Sequence, residues 1–324
     1  MALSSHPYAS VDDLREIQAA ITAAWVSPRR PLVAQTIGDV AWWLASGGPD
    51  ADWPARIRIW TEGTRTVGWG WLSLPNGLDW FVAPGLDETD ERRLREEILA
   101  WATGRVTALA PAPVPVPEPG GAPPGEAPAP KPLEVWAADG WPEQDVLTRL
   151  GYKATDDGLT QYYQSLERDL PEPVVAPGYA LRALTGPDDI PARVEVHRSA
   201  FAPSRMTVEK YGILVSLPGY RYDLDAVAVA PDGSFAAFTM CWLDPVAELG
   251  YFEPVGTHQD HRRLGLAKAV NEFGLRRLRE EGARDAMVYA EAANPASNGL
   301  YQSVGFRPIA VHRTYTAPAL QSAR

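Results

Sequence analysis

Apolar residues recur at helical spacing in "VDDLREIQAAITAAW" (Leu14, Ile17, Ala20, Ile21, Ala24), behind two acidic residues, and predict an amphipathic helix. "IGDVAWWLA" predicts a second, shorter one. The pattern then changes period. "RIRIWTEG", "TVGWGWLSL" and "GLDWFVAP" are strand-like runs separated by turn formers, which predicts an antiparallel meander. A charged amphipathic helix follows from about Asp90 to Arg105, then a strand in "LEVWAA", a helix in "PEQDVLTRLGY" and a strand in "GLTQYYQSLE".

The second half repeats this order. "YALRALT" predicts a strand, "DDIPARVEVHRSAF" and "TVEKYGILVSL" helices, and "LDAVAVA", "SFAAFTMCWL" and "AELGYFEPV" three strands. A helix from Arg262 to Glu281, a strand in "DAMVYAEA", a helix in "ASNGLYQSV" and a strand from Phe306 to Tyr315 complete it. The repeat extends to residues: "DERRLREEILAW" parallels "DHRRLGLAKAV", and "LTRLGY" parallels "YQSVGF". Arg92 and Gly151 are 59 positions apart, Arg262 and Gly305 are 43, and the excess of 16 falls where a proline tract stands. That tract, 111–132, holds ten prolines in 22 residues, which excludes helix and central strand and predicts a polyproline-type, disordered insertion. A second Pro-rich break at 168–178 places the domain boundary: one domain over 1–170, another over 171–324.

Composition narrows the function. A net charge of −11 argues against nucleic acid as a partner. A single cysteine, Cys241 in an apolar run, permits no internal disulfide and reads as a small buried hydrophobe in a reducing compartment. No cysteine–histidine cluster suggests a metal. No leader pattern and no apolar run of membrane-spanning length is evident, so the expectation is a cytoplasmic protein without a membrane partner.

The second copy of the repeated phrase carries the chemistry. A helix start presents unpaired N–H groups and the positive end of the dipole, and it accepts an anion such as a pyrophosphate where no side chain blocks the approach. Gly265 and Ala267 leave that approach clear, and Arg262 and Arg263 add positive charge at the rim. In the preceding strand "YFEPVGT", Pro254 and Gly256 predict a bulge or a parting of strands, with backbone groups left for a ligand. In "NPASNGLYQSVGF", Asn294 follows a strand, Ser297 is positioned to cap a helix, Tyr301 lies one turn in, and Gly305 suits the helix end.

R-x-x-G-x-A after a bulged strand, then N-x-x-S-x-x-L-Y-x-x-x-G-F some forty residues on, resembles the GNAT superfamily of acetyl-CoA-dependent N-acetyltransferases; the duplicated order resembles its two-domain members. The resemblance implies an α/β fold with α+β mixed sheets. Two tandem GNAT-like domains are expected, each a central, mostly antiparallel, twisted sheet with flanking helices and a parted pair of strands. It implies acetyl-CoA as cofactor, bound through Arg262 and the backbone amides of Arg263, Leu264, Gly265, Leu266, Ala267 and Lys268 at the pyrophosphate. Val255 and Thr257 would lie along the pantetheine arm, and Asn294 and Tyr301 on the opposite side. Tyr301 matches the family's general acid for the leaving thiolate, a role that suits a phenol. Glu253 shares strand parity with Val255 and Thr257, which makes it a candidate base beside an ordered water, with a solvated carboxylate as the plain alternative. His258 and His261 read as rim residues. Phe201, Arg205, Tyr211, Tyr220 and Tyr222 fall where the family places its acceptor site, although core packing accounts for them equally well.

The first half departs from the motif. Arg95 stands opposite Gly265, Glu97 opposite Ala267 and Leu147 opposite Tyr301, so this copy is expected to bind no coenzyme A and to serve a structural role. The expected function is acetyl transfer to the primary amine of a small molecule by the carboxy-terminal domain, as monomer or homodimer. The competing expectation is a non-catalytic acyl-CoA sensor or scaffold.

Overall fold

The computed structural model describes residues 3–27, 34–109 and 131–318. The proline tract lies, from 111 to 130, outside the described residues. In chain order the elements are β1 (Leu3–Pro7), α1 (Val11–Trp25), α2 (Ile37–Gly47), α3 (Trp53–Arg56), β2 (Ile57–Glu62), β3 (Arg65–Ser73), β4 (Gly77–Val82), α4 (Glu88–Leu109), β5 (Glu134–Ala138), α5 (Pro142–Arg149) and β6 (Lys153–Ser165). Then follow β7 (Ala180–Ala183), α6 (Ile190–Ala200), α7 (Val208–Ser216), β8 (Asp225–Val229), β9 (Phe235–Asp244), β10 (Leu249–Thr257), α8 (Leu266–Glu280), β11 (Asp285–Glu291), α9 (Pro295–Ser303) and β12 (Arg307–Thr316). The order is α/β with mixed sheets, as the resemblance implies. β1 and the one-turn α3 carry no periodic signal and are additions to it.

The chain forms two compact units, and they are not the consecutive segments 1–170 and 171–324. One comprises Met1–Ala9, Asp52–Asp156 and Arg313–Arg324, the other Ser10–Ala51 and Asp157–His312. Helices α1 and α2 therefore belong with the second copy of the repeat. The Pro-rich break at 168–178 is a loop inside one unit, since proline composition reports a lack of ladder bonds and not where contacts cease.

In the first unit β1 to β4 form an antiparallel run and β5 lies parallel to β4. Its core joins Trp60, Val67, Leu78, Leu94, Ile98, Val135, Val146, Leu147 and Tyr315. In the second unit the strands lie in the order β6-β11-β10-β9-β8-β7, antiparallel except for β10 beside β11. One face packs on α8 and α9 through Phe252, Leu275, Leu278, Val288 and Phe306. Gly274 lets α8 approach so closely that a Cβ there would stand 2.7 Å from Cys241 Sγ. Cys241 is buried, and burial raises its thiol pKa, which fits a packing role. A separate cluster joins Ala41 and Ala45 of α2 to Tyr211, Leu214, Trp242, Tyr251 and Met287. Among the described residues no helix is long and apolar enough to cross a membrane.

Candidate active site

The site is built where β10 changes partners. Its parallel pairing with β11 ends at Phe252 opposite Val288. Its pairing with β9 skips from Phe252 opposite Cys241 to Val255 opposite Thr239. Glu253 and Pro254 occupy that irregularity because proline offers no ladder donor. Val255, Gly256 and Thr257 continue on β9 alone and are half-buried. Their ladder groups on the β11 side are thus open to a ligand, as the sequence led one to expect.

The chain then makes a short turn over Gln259–His261 and reaches α8. Arg263 and Gly265 take left-handed conformations, with φ of 65° and 75°. The helix begins at Leu266, four residues later than its apolar periodicity suggests, with Gly265 as its N-cap and no side chain bonded there. By contrast α1, α2, α7 and α9 are closed by Ser10, Thr36, Thr207 and Asn294. An uncapped helix start behind a loop of alternating backbone hand leaves N–H groups facing a common concavity, a setting that favours an anion. Arg262, Arg263, Leu264 and Lys268 are exposed around it. Arg262 also donates to the carbonyl of Ala200 at 3.2 Å. His261 Nδ1 lies 2.8 Å from the Tyr179 hydroxyl, so it is a rim residue held by a neighbour.

Asn294 stands at the start of α9. Its side chain accepts from Ser297 N at 3.1 Å and so caps α9 itself; Ser297 is not the cap. Asn298 further anchors the helix by accepting from the Tyr162 hydroxyl at 2.7 Å. This fixes Tyr301 nearly two turns in, with its ring 6.0 Å from those of Tyr162 and Phe306. Tyr301 is buried but its hydroxyl has no partner among the described residues. Burial first, and then the charge of Glu253, raises its pKa above the usual phenol value. Glu253 is half-buried, crowded by protein yet reached by solvent, and its backbone carbonyl accepts from Trp242 Nε1 at 2.8 Å. Burial, followed by the charge of Asp39, pushes its carboxyl up to about 8. Tyr301 stands on α9, and Glu253 on β10 at the irregularity where β10 and β11 part.

Of the acceptor candidates, Phe201 and Arg205 are exposed after α6. Tyr211 is fully buried with its hydroxyl donating to Asp225, so it is a core residue and not a pocket wall. Tyr220 donates to the same carboxylate at 3.2 Å and, like Tyr222, is half-buried. Sequence reading missed Asp39, Tyr251 and Tyr289. Asp39 gives a signal only as the fourth residue of a capping box, Thr36 to Asp39, which accounts for it structurally.

In the first unit the repeated phrase is helical throughout. Helix α4 starts at Glu88, and the Asp87 carboxylate accepts from the amides of Thr89 and Asp90 at 2.9 and 2.8 Å. Arg95 and Glu97 therefore lie inside the helix and not at its mouth, because without glycine this stretch of good helix formers extends the helix toward its start. Arg95 bridges Glu91 and Glu143 of α5 at 3.2 and 3.1 Å, and Glu97 accepts from Trp60 Nε1 at 3.0 Å. A cleft of about 750 Å³ remains between α4 and α5, lined by both charge signs, including Glu91, Arg92, Arg95, Asp145 and Arg149.

Residues 205–306 match the acetyltransferase (GNAT) family. A mycothiol acetyltransferase of Nocardia farcinica is 31% identical over 193 residues, 56% of this chain and 63% of that protein. One of Streptomyces coelicolor is 28% identical over 54% of this chain and 58% of its own length. The chain thus spans about three fifths of the length of these curated relatives. Among solved structures, a tandem GNAT protein from the clavulanic acid biosynthesis pathway superposes with a TM-score of 0.64, at 17% identity, over 99% of this chain and 100% of that one. A GCN5-related N-acetyltransferase from Sphaerobacter thermophilus gives 0.61, at 16% identity, over 99% and 98%. The parted strands and the uncapped glycine loop fall inside the residues that match the GNAT acetyltransferase family, and the whole chain has the tandem GNAT fold.

Proposed function

We propose that the unit containing β10, α8 and α9 transfers acetyl directly from acetyl-CoA to the primary amine of a small molecule. The observation that carries this reading is the parting of β10 from β11 just before the uncapped, glycine-led start of α8. The pyrophosphate is held by the amides of residues 263–268, with Arg262 and Arg263 at the rim, and the pantetheine arm lies along Val255 and Thr257. The acceptor's ammonium gives a proton to Glu253, directly or through water. Its nitrogen then attacks the thioester carbon, and the tetrahedral oxyanion forms beside the strand amide near Val255. As the carbon–sulfur bond breaks, Tyr301 protonates the thiolate. The first unit, with its helix mouth closed by Asp87 and its cleft bridged by Arg95, takes no coenzyme A and is structural.

The test is calorimetric titration with acetyl-CoA, followed by thiol release with an amine panel that includes the acceptor of mycothiol acetyltransferases. Binding together with amine-dependent thiol release is expected. Absence of binding overturns the reading, and binding without turnover on any amine favours an acyl-CoA sensor.

A further inference from the structure

Strand β10 carries one residue more than β9 where it changes partners. Phe252 stands opposite Cys241 and Val255 opposite Thr239, so Glu253 and Pro254 together face Met240. The extra residue turns the strand over. Tyr251 packs with Trp242 and Leu214 on the α2 side, and Phe252 with Leu275 and Leu278 of α8. In a regular strand Val255 would fall on the side of Tyr251. It packs instead with the cluster of Phe252. Gly256 takes the opposite side, where a Cβ would come 2.6 Å from Phe238 Cζ and 2.8 Å from Ala200 Cβ of α6.

One side chain bonds to the backbone of this bulge. Trp242 of β9 is fully buried, and its Nε1 donates to the Glu253 carbonyl at 2.8 Å. A bulge carbonyl needs a donor and a buried indole N–H needs an acceptor, so each satisfies the other. The Trp242 ring is itself held from behind by helices from the start of the chain. Gly38 of α2 lies so near it that a Cβ would stand 2.3 Å from a ring carbon. Gln18 of α1 is buried and donates to the carbonyls of Ile37 and Pro218 at 3.0 and 3.1 Å. It thereby ties α2 to the loop of Gly219 and Tyr220, and the Tyr220 ring stands 6.3 Å from that of Trp242.

Resting on the function proposed above, we infer that Trp242 is a positioning residue for the transfer. Its indole N–H fixes the Glu253 carbonyl and, through it, the Val255 amide beside which the tetrahedral oxyanion forms. Pro254 is the single residue between that carbonyl and that amide, and its ring fixes its own φ, so a shift of one moves the other. A donor aimed at a developing charge loses its effect when displaced by a fraction of an ångström to an ångström. Helices α1 and α2 are the buttress behind the ring. They thus take part in the reaction without touching a reactant.

The experiment uses the full chain with Trp242 exchanged for its benzothiophene analogue, which keeps the shape of the indole and lacks the N–H. Trp242→Phe would open a void as well and confuse donor with packing. The same exchange at Trp60, whose Nε1 donates to Glu97 at 3.0 Å in the first unit, controls for the loss of one hydrogen bond. The Val255 amide is followed by NMR in a chain with isotope-labelled valine, with Val255→Ile to assign the signal. At Trp242 the exchange is expected to move the Val255 signal and to lower kcat about tenfold, with KM for acetyl-CoA held within about twofold. At Trp60 it should lower the melting temperature by a similar amount and leave both kcat and the Val255 signal in place. An unmoved Val255 signal overturns the inference, as does an unchanged kcat in an active enzyme or an equal fall in kcat from the Trp60 exchange. The NMR readout requires no turnover, so a chain that acetylates nothing defeats the proposed function while Trp242 is still judged on the Val255 amide alone.

Discussion

Tyr301 and Glu253 are both perturbed by burial, in directions that serve opposite proton transfers. A phenol that resists ionisation keeps its proton until a thiolate forms, and a carboxyl raised toward neutrality is a competent base. Tyr301→Phe should lower kcat about 100-fold with acetyl-CoA affinity unchanged, checked by steady-state kinetics beside calorimetry. An equal loss of cofactor affinity would show that the phenol binds and does not protonate. For Glu253 the folded pKa of about 8 lies above the ordinary carboxylate value of 4.5. Between those values the folded chain binds more protons than the unfolded one, so this group's contribution to stability is present at acid pH and fades as pH rises through about 8. Glu253→Gln should therefore abolish transfer yet melt higher than wild type at pH above about 8, by a few kcal/mol at most because solvent reaches the group. Equal melting curves at alkaline pH would place Glu253 in an ordinary solvated setting. The motif around Tyr301 is legible in the sequence, whereas the strand parity used to choose Glu253 does not carry across the register shift between Phe252 and Val255. Asp39 is not legible, since a capping box explains an aspartate without any site.

At the scale of elements, the difference between the two repeated phrases is where a helix begins. Gly265 lets the chain turn left-handed and start α8 late, whereas α4 runs on from Glu88 and has its end closed by Asp87. Gly265→Arg is expected to weaken acetyl-CoA binding by at least about tenfold, because it puts a side chain at an open anion site. The fold should survive: no atom lies within 4 Å of the position a Cβ would take, and the left-handed backbone costs about 1–2 kcal/mol. Calorimetry with a melting curve decides, and wild-type affinity would show that the loop holds no pyrophosphate. Hydrophobic period placed nearly every helix and strand. It missed β1, α3 and the start of α8, which depend on backbone hand and on pairing partners distant in sequence.

For the whole molecule, apolar pattern revealed a duplication but not which pieces fold together. The second unit takes α1 and α2 from the start of the chain and the end of β6 from the first copy of the repeat. β6 pairs with β11 through seven positions, from Asp285 opposite Ser165 to Glu291 opposite Leu159. A fragment of residues 171–324, the domain that composition suggested, should show no cooperative unfolding by circular dichroism, because it lacks that strand and the helix that packs on Trp242. A cooperative transition in that fragment would show that the unit is self-sufficient.

The exchange of segments also dictates an order of assembly during synthesis. Helices α1 and α2 leave the ribosome with their apolar faces bare and wait for β9 and β10, close to 200 residues later. The first unit likewise lacks Tyr315 of its core until the last strand emerges. Neither unit is complete before almost the whole chain has been made, so the protein folds after translation rather than domain by domain along it. Chaperones that cover apolar faces are therefore expected to raise its folding yield.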